Sequence, residues 1–457
     1  MNLRSPWLVV LAIASIAMAS MADTANSASK PDVVVIIIDD MGWADPGFMP
    51  GGAHETPHMD ALAARGKVFT QACSDGPNCA PSRASLMTGQ WSPRHGITTV
   101  GTPTRGKAEN RKLKPPPNGK YLTDDAVTLA ERMKEAGYRT VHVGKWHLGD
   151  DPLDQGFDHN IGGNRAGHPK SYFSPYRNAD LPDGPEGESL TDRLTDETLA
   201  LVESGQDQPL FLYFSPYAVH SPFQATPEEV AALQAATPGL NKRAASYAAM
   251  MQRTDRNIGR LMERMDDDTI IIFCSDNGGS GGVSSNGDLR GAKGMLYEGG
   301  IRVPLVITMP GIESGTCEVP VTLMDVVPTI LELADIDHPS NELDGHSLVP
   351  LLEDNGTFKK RSLFWHFPAY LEAGGKAGPW RTTPVGVVRE GDWKLLEFFE
   401  DGRVELYDLR TDPGETKNVA ADHPETRNRL LKQMQQWRKD VQAPMPVSIA
   451  GSPTNSP

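Results

Sequence analysis

The chain has 457 residues, with 44 basic and 59 acidic side chains and a net charge of −15. That length allows a large core and two or three domains. The acidic balance argues against a general nucleic-acid binder or a coat for anionic membranes. Four scattered cysteines are too few for a disulfide framework or a cysteine-based zinc centre.

In chain order, the first element is a targeting signal. Residues 1–22 hold one charged group, Arg4, then an apolar run from Trp7 to about Met18, then small residues around Ala19 and Ala22. The run is shorter than the ~20 residues a membrane-spanning helix needs, so it reads as a cleavable secretory signal. The mature protein is expected to be exported, to the periplasm or beyond, and to be free of the membrane.

Val33–Ile38, an unbroken Val/Ile run ending in Asp39-Asp40, predicts a fully buried parallel strand. A helix is predicted over Thr123–Ala136, with Thr123 as N-cap and Gly137 as its stop. Further strands follow at Tyr138–Val143, ending at Gly144-Lys145, and at Pro209–Ser215, ahead of His220. A long helix sets Tyr247, Met250, Met251, Ile258, Leu261, Met262 and Met265 on one face, a stripe that suits core packing. Thr269–Cys274 reads as another buried strand, ending at Asp276-Asn277.

This alternation implies an α/β fold: residues 31–355 form a large domain with a central, mostly parallel sheet flanked by helices. Beyond Leu363 the pattern changes to short strands (Pro384–Arg389, Trp393–Phe399, Arg403–Asp408) and a final helix near Pro424–Val441. Residues 363–442 are therefore expected to form a smaller α+β domain with an antiparallel sheet. The Pro/Ser-rich tail, 443–457, is expected to be disordered.

In open α/β sheets, ligands collect beyond the carboxyl ends of the strands. Asp39, Asp40, Asp276, Asn277, Lys145, His147 and His220 all fall just past predicted strand ends. Three carboxylates and an amide are oxygen donors suited to a hard divalent cation, Ca²⁺ or Mg²⁺. Without a cation the carboxylates would repel one another.

The stretch Cys79-Ala80-Pro81-Ser82-Arg83, closing at Thr88-Gly89, resembles the signature of the type I sulfatases of the alkaline phosphatase superfamily. The resemblance extends through Thr56–Asp60, Gly144–Gly149, Ser275–Gly278, Gly291–Gly294 and Glu298–Pro304, and into Leu406–Leu409 with Asp412-Pro413 and Asn418. It implies an arylsulfatase-type sulfuric ester hydrolase in which a formylglycine-generating enzyme converts Cys79 to formylglycine, the nucleophile in its hydrated form. It further implies one metal ion, preferably Ca²⁺, on Asp39, Asp40, Asp276, Asn277 and the modified Cys79. Arg83 would hold the nucleophile, while Lys145, His147, His220 and Lys293 would surround the sulfate. Chemically, a divalent cation eases ionisation of a bound hydroxyl, and cations stabilise charge on the transferring group. His220, alone or with Lys293, would protonate the leaving alcohol, and His147 would act as the base.

The substrate is less legible. Between Gln90 and Tyr121 lie Arg94, Arg105, Lys107, Arg111, Lys112, Lys114 and Lys120 against one acid, Glu109. This insertion reads either as a rim for a sulfated polysaccharide or its oligosaccharides or as a solvated loop. Arg165, His168, Lys170 and Arg177 form a second candidate rim. A phosphomonoester, phosphodiester or phosphonate hydrolase is the alternative activity, and an inactive glycan-binding protein a third reading. Cys73, Cys274 and Cys317 read as buried thiols, or one disulfide at most.

Overall fold

The computed structural model describes residues 30–449, apart from 206–207, 340, 354–355 and 374–377. The expected signal, residues 1–22, lies outside the described residues. The described residues from Pro31 onward cluster as one compact unit.

An eight-stranded sheet runs in the order Gly315–Cys317, Lys67–Phe69, Leu305–Thr308, Ile270–Ser275, Val33–Ile38, Leu210–Ser215, Arg139–Gly144, His159–Ile161. The five strands from Ile270–Ser275 to His159–Ile161 are mutually parallel, while Leu305–Thr308 runs antiparallel to its two neighbours. The Val/Ile run at the centre is buried on both faces. Val33, Val35 and Ile37 pack into one core with the helices Cys79–Thr88, Leu129–Glu135 and Val326–Leu333. Val34, Ile36 and Ile38 pack into another with Pro57–Ala64, Leu190–Glu203 and Lys242–Met262. The period of two thus sends alternate side chains into opposite helical layers. Tyr247, Met250, Met251, Ile258 and Leu261 are buried in the second layer, with Met262 and Met265 against it. Among the described residues, no helix is long and apolar enough to cross a membrane.

The four-stranded antiparallel sheet follows: Ser362–Phe367, Val385–Glu390, Trp393–Phe398 and Val404–Asp408. One face puts Trp365, Val387, Leu396 and Tyr407 against Cys73, Leu296 and Ile301 of the preceding domain. On the other face, Val388, Leu395 and Leu406 meet Leu430 and Met434 of the helix Pro424–Asp440.

Two expectations need correction. The helix near residue 130 begins at Leu129 with Thr128 as N-cap, not Thr123. Thr128 accepts from the Glu131 amide at 3.1 Å and Glu131 accepts from the Thr128 amide at 2.7 Å, a reciprocal box that Thr123 lacks. In the tail, Val447–Ser448 pair antiparallel with Leu113–Lys114, so this part is ordered by ladder bonds to the basic insertion. Residues 450–457 lie outside the described set. All four cysteines are free thiols.

Candidate active site

The parallel strands end on a common edge, and their next residues turn inward together. Asp39 and Asp40 follow the central strand; Asp40 has φ +64, a left-handed conformation costly for a residue with a Cβ. The Asp40 amide donates to Asp276 Oδ1 at 3.2 Å, and the Asp276 amide to the Ile38 carbonyl at 3.3 Å, locking the two strand ends together. Lys145 follows Gly144, where a Cβ would stand 2.1 Å from the Ser215 carbonyl oxygen, so only glycine fits. His147 also adopts φ +64 and donates its amide to the Asn164 carbonyl.

Cys79 opens a helix whose ten residues are all buried, and Arg83 lies one turn further on the same face. The Arg83 guanidinium donates to Asp276 Oδ2 (2.8 Å), the Lys145 carbonyl (3.0 Å) and Ser215 Oγ (2.5 Å). Lys145 Nζ meets Asp39 Oδ2 at 2.6 Å. Lys293 Nζ donates to Asp40 Oδ1 at 2.5 Å and to Cys79 Sγ at 3.0 Å. Asn277 Nδ2 also reaches Asp40 Oδ1, at 2.9 Å.

Ligand atoms of Asp39, Asp40, Cys79 and Asp276 lie within 4.8 Å of one another. Asp39 Oδ1 and Asn277 Oδ1 are buried without a hydrogen-bond partner. Orphaned buried oxygens beside three carboxylates are what a divalent cation would satisfy, so the residues fit a metal. Burial pushes Asp276 up, to about 6, even with Arg83 against it. Asp39 is also pushed up by burial, but Lys145, His220 and Arg83 outweigh that and hold its carboxyl low. Burial raises the Cys79 thiol to about 12, although Lys145 and Lys293 oppose it. The unconverted side chain is thus a protonated thiol near neutrality and a poor nucleophile.

His220 Nδ1 lies 2.6 Å from the Ser221 carbonyl, which can only accept, so the proton sits on Nδ1 and Nε2 faces the site, 3.6 Å from Asp40 Oδ2. Its ring stacks on His168, centroids 5.8 Å apart. Burial, then the charges of Lys145 and Arg83, hold His147 well below its ordinary value and keep it neutral.

Cys79, His147, His220 and Lys293 open onto a cleft of about 550 Å³, whose walls also hold Arg105, His168, Glu372 and Arg381. All ten residues picked out by sequence therefore meet at one sheet edge. The basic insertion does not act as a unit. Arg105 alone reaches the cleft wall, whereas Arg94 pairs with Asp344 and Lys107 with Glu109. Arg111 donates to three loop carbonyls, and Lys112 and Lys114 lie beside the C-terminal strand. Of the second rim, only His168 lines the cleft; Arg165, Lys170 and Arg177 line a separate hollow that His168 also borders. Ser215, Glu372 and Arg381 were not anticipated. Ser215 had a signal, its place at a strand end; the other two had none.

The fold and this edge define a hydrolase of the alkaline phosphatase-like superfamily, and comparison with known proteins narrows the class. The sulfatase family model matches residues 31–336, and the model for the C-terminal part of N-sulphoglucosamine sulphohydrolase matches residues 291–442. The chain is 31% identical to a sulfatase of Formosa agariphila, over 89% of this chain and 87% of that protein. It is also 31% identical to human N-acetylgalactosamine-6-sulfatase, over 74% of this chain and 68% of that one. The crystal structure of Ps i-CgsB in complex with k-i-k-neocarrahexaose superposes with a TM-score of 0.74 at 28% identity, covering 91% and 94% of the two chains. The chain belongs to the sulfatase family and is a sulfuric ester hydrolase.

Proposed function

We propose that this sulfatase removes sulfate from carbohydrates, with Cys79 acting as formylglycine and Ca²⁺ held by Asp39, Asp40, Asp276 and Asn277. The observation that carries the reading is the convergence of these carboxylates, Lys145 and Lys293 on Cys79, with orphaned Asp39 and Asn277 oxygens, at the base of an open cleft. Calcium is preferred to magnesium because the site offers several carboxylate oxygens, which suits its larger coordination shell. The carbohydrate reading rests on the relatives, one named for N-acetylgalactosamine 6-sulfate chemistry and another bound to neocarrahexaose. Export through residues 1–22 and conversion of Cys79 by a maturation enzyme belong to the same proposal.

When present, the cation and the hydrated aldehyde supply an ionisable oxygen nucleophile and charge neutralisation at sulfur. The chain's own groups do the rest. Arg83, tied to Asp276, Ser215 and the Lys145 carbonyl, fixes the helix turn that carries residue 79. Lys145 and Lys293 bring positive charge to the sulfate oxygens, where a preorganised field in a dry site is most effective. His220 Nε2 faces the cleft and, when the ring is an imidazolium protonated on both nitrogens, is placed to hand the Nε2 proton to the leaving alcohol, while neutral His147 is a base on the same wall.

The test is ion release from a panel of sulfated mono- and oligosaccharides, an aryl sulfate and the matching phosphate esters. The protein is coexpressed with a formylglycine-generating enzyme, and conversion is confirmed by mass. Sulfate release from a sugar, abolished by Cys79→Ala, is expected. Phosphate release alone, or full turnover by Cys79→Ala, overturns the reading.

A further inference from the structure

Most cations near the site are paired with a carboxylate: Lys145 with Asp39, Lys293 with Asp40, and Arg83 with Asp276. Two on the cleft wall are not. Arg105 and Arg381 form no ion pair within 4.0 Å among the described residues, Glu372 on the same wall included, although each guanidinium is held in place. Arg105 Nη2 donates to the Val100 carbonyl at 2.7 Å, and Arg381 Nη1 to the Lys293 carbonyl at 3.2 Å.

The segments that carry them are braced against each other. The Tyr370 amide donates to the Pro103 carbonyl at 3.0 Å, and the Tyr370 hydroxyl accepts from the Lys112 and Leu113 amides. Trp380, next to Arg381, donates Nε1 to the Asn110 carbonyl, and its ring lies where a Cβ on Gly106 would fall, 2.4 Å away. A loop of the catalytic domain and a hairpin of the C-terminal domain therefore close over one cleft, each contributing an arginine. In a chain of net charge −15, this is a local reversal of sign at the mouth of the site.

We infer that Arg105 and Arg381 form a second oxyanion subsite, which binds another anionic group of the substrate, a sulfate or a carboxylate, while the scissile sulfate lies at Cys79. A guanidinium with one N–H fixed to a carbonyl still offers its remaining donors in a planar fork, the geometry that matches such an oxyanion. The inference rests on the sulfatase reading and deepens it: the preferred substrate carries at least two negative groups.

The test is calorimetric binding to the Cys79→Ala protein, which binds without turnover. Three probes are compared: a monosulfated galactose, the same sugar with a second sulfate, and the monosulfated sugar linked to a uronic acid. The doubly anionic probes should bind more tightly, and Arg105→Gln or Arg381→Gln should cut that advantage about tenfold. The Lys variants, which keep the charge, should recover part of it. Comparing the two doubly anionic probes shows whether sulfate or carboxylate is preferred. An advantage unchanged in both Gln variants, or no advantage to begin with, overturns the subsite. Failure of the sulfatase reading is separately visible, as absence of sulfate release by the converted wild type.

Discussion

At the carboxyl ends of the central strands, Asp39, Asp40 and Asp276 face Arg83, Lys145 and Lys293; at the seam between the two sheets, Glu298 and Glu415 face Arg302, Arg389 and Lys394. Both clusters are buried. They differ in how their bonds end. At the seam, Glu298 receives Arg302 Nε at 2.7 Å, Lys394 Nζ at 2.8 Å and Arg389 Nη1 at 3.3 Å, and its amide donates to Glu415 Oε2 at 2.6 Å. The seam completes the bonds of Glu298 inside the protein, and Glu415 Oε1 faces Lys394 Nζ at 2.9 Å rather than a cavity. The strand-end cluster leaves Asp39 Oδ1, Asn277 Oδ1 and Arg83 Nη2 without hydrogen-bond partners, the first and last only facing each other at 3.9 Å, and opens onto a cleft. Buried charge alone therefore does not mark a functional site; buried charge with unfinished bonds facing a cavity does.

The largest expected effect is on the seam. Glu298→Gln leaves three buried cations undercompensated and should cost about 3–5 kcal/mol, read by urea unfolding. The difference depends on pH. Burial raises the Glu298 carboxyl, but Lys394, Arg302 and Arg389 outweigh it, so its folded value lies below the ordinary 4.5. Its contribution is complete above that value and is lost as pH falls below it. Glu415, raised chiefly by burial, has the opposite sign and offsets part of the loss. The gap between wild type and Glu298→Gln should therefore narrow from pH 6 to pH 3; a constant gap would break the assignment of the seam as an electrostatic clasp.

Next in size is Lys293→Ala, which should lower kcat for sulfate release by roughly 100- to 1000-fold, the usual loss for one preorganised charge at a reacting centre. It should change stability far less than Glu298→Gln, because Asp40 keeps Asn277 and His220 nearby. Equal destabilisation by the two variants would erase the distinction between the clusters.

The smallest expected effect sharpens it. Calcium at 100 times its dissociation constant should stabilise the fold by about 2.7 kcal/mol, seen as a rise in Tm that EDTA reverses. Asp40→Asn should diminish the rise, and Glu298→Gln should keep it. A rise that survives Asp40→Asn would place the cation elsewhere.

Much of this molecule was legible because it is local. The run Val33–Ile38 can only be a strand buried on both faces, and the acids after it must then lie at the sheet edge. The helix that puts Cys79 and Arg83 on one face was not among the expected elements and came from the structure. Boundaries were less secure: Thr123 and Thr128 are both plausible caps, and only the reciprocal bond to Glu131 separates them. The basic insertion looked like one feature because charge was counted along the chain, yet folding sent its side chains to Asp344, to loop carbonyls and, for Arg105 alone, to the cleft.

By itself, the sequence determined the α/β architecture and the strand-end carboxylates, since each follows from spacing within one segment. Only the tertiary structure decided which charges finish their bonds inside the protein and which remain open to a ligand. It also brought Arg381, from a hairpin of the second domain, beside Lys293. The physical reason is that periodicity tells a side chain which face to take, whereas its partner is set by whichever distant segment packs against that face.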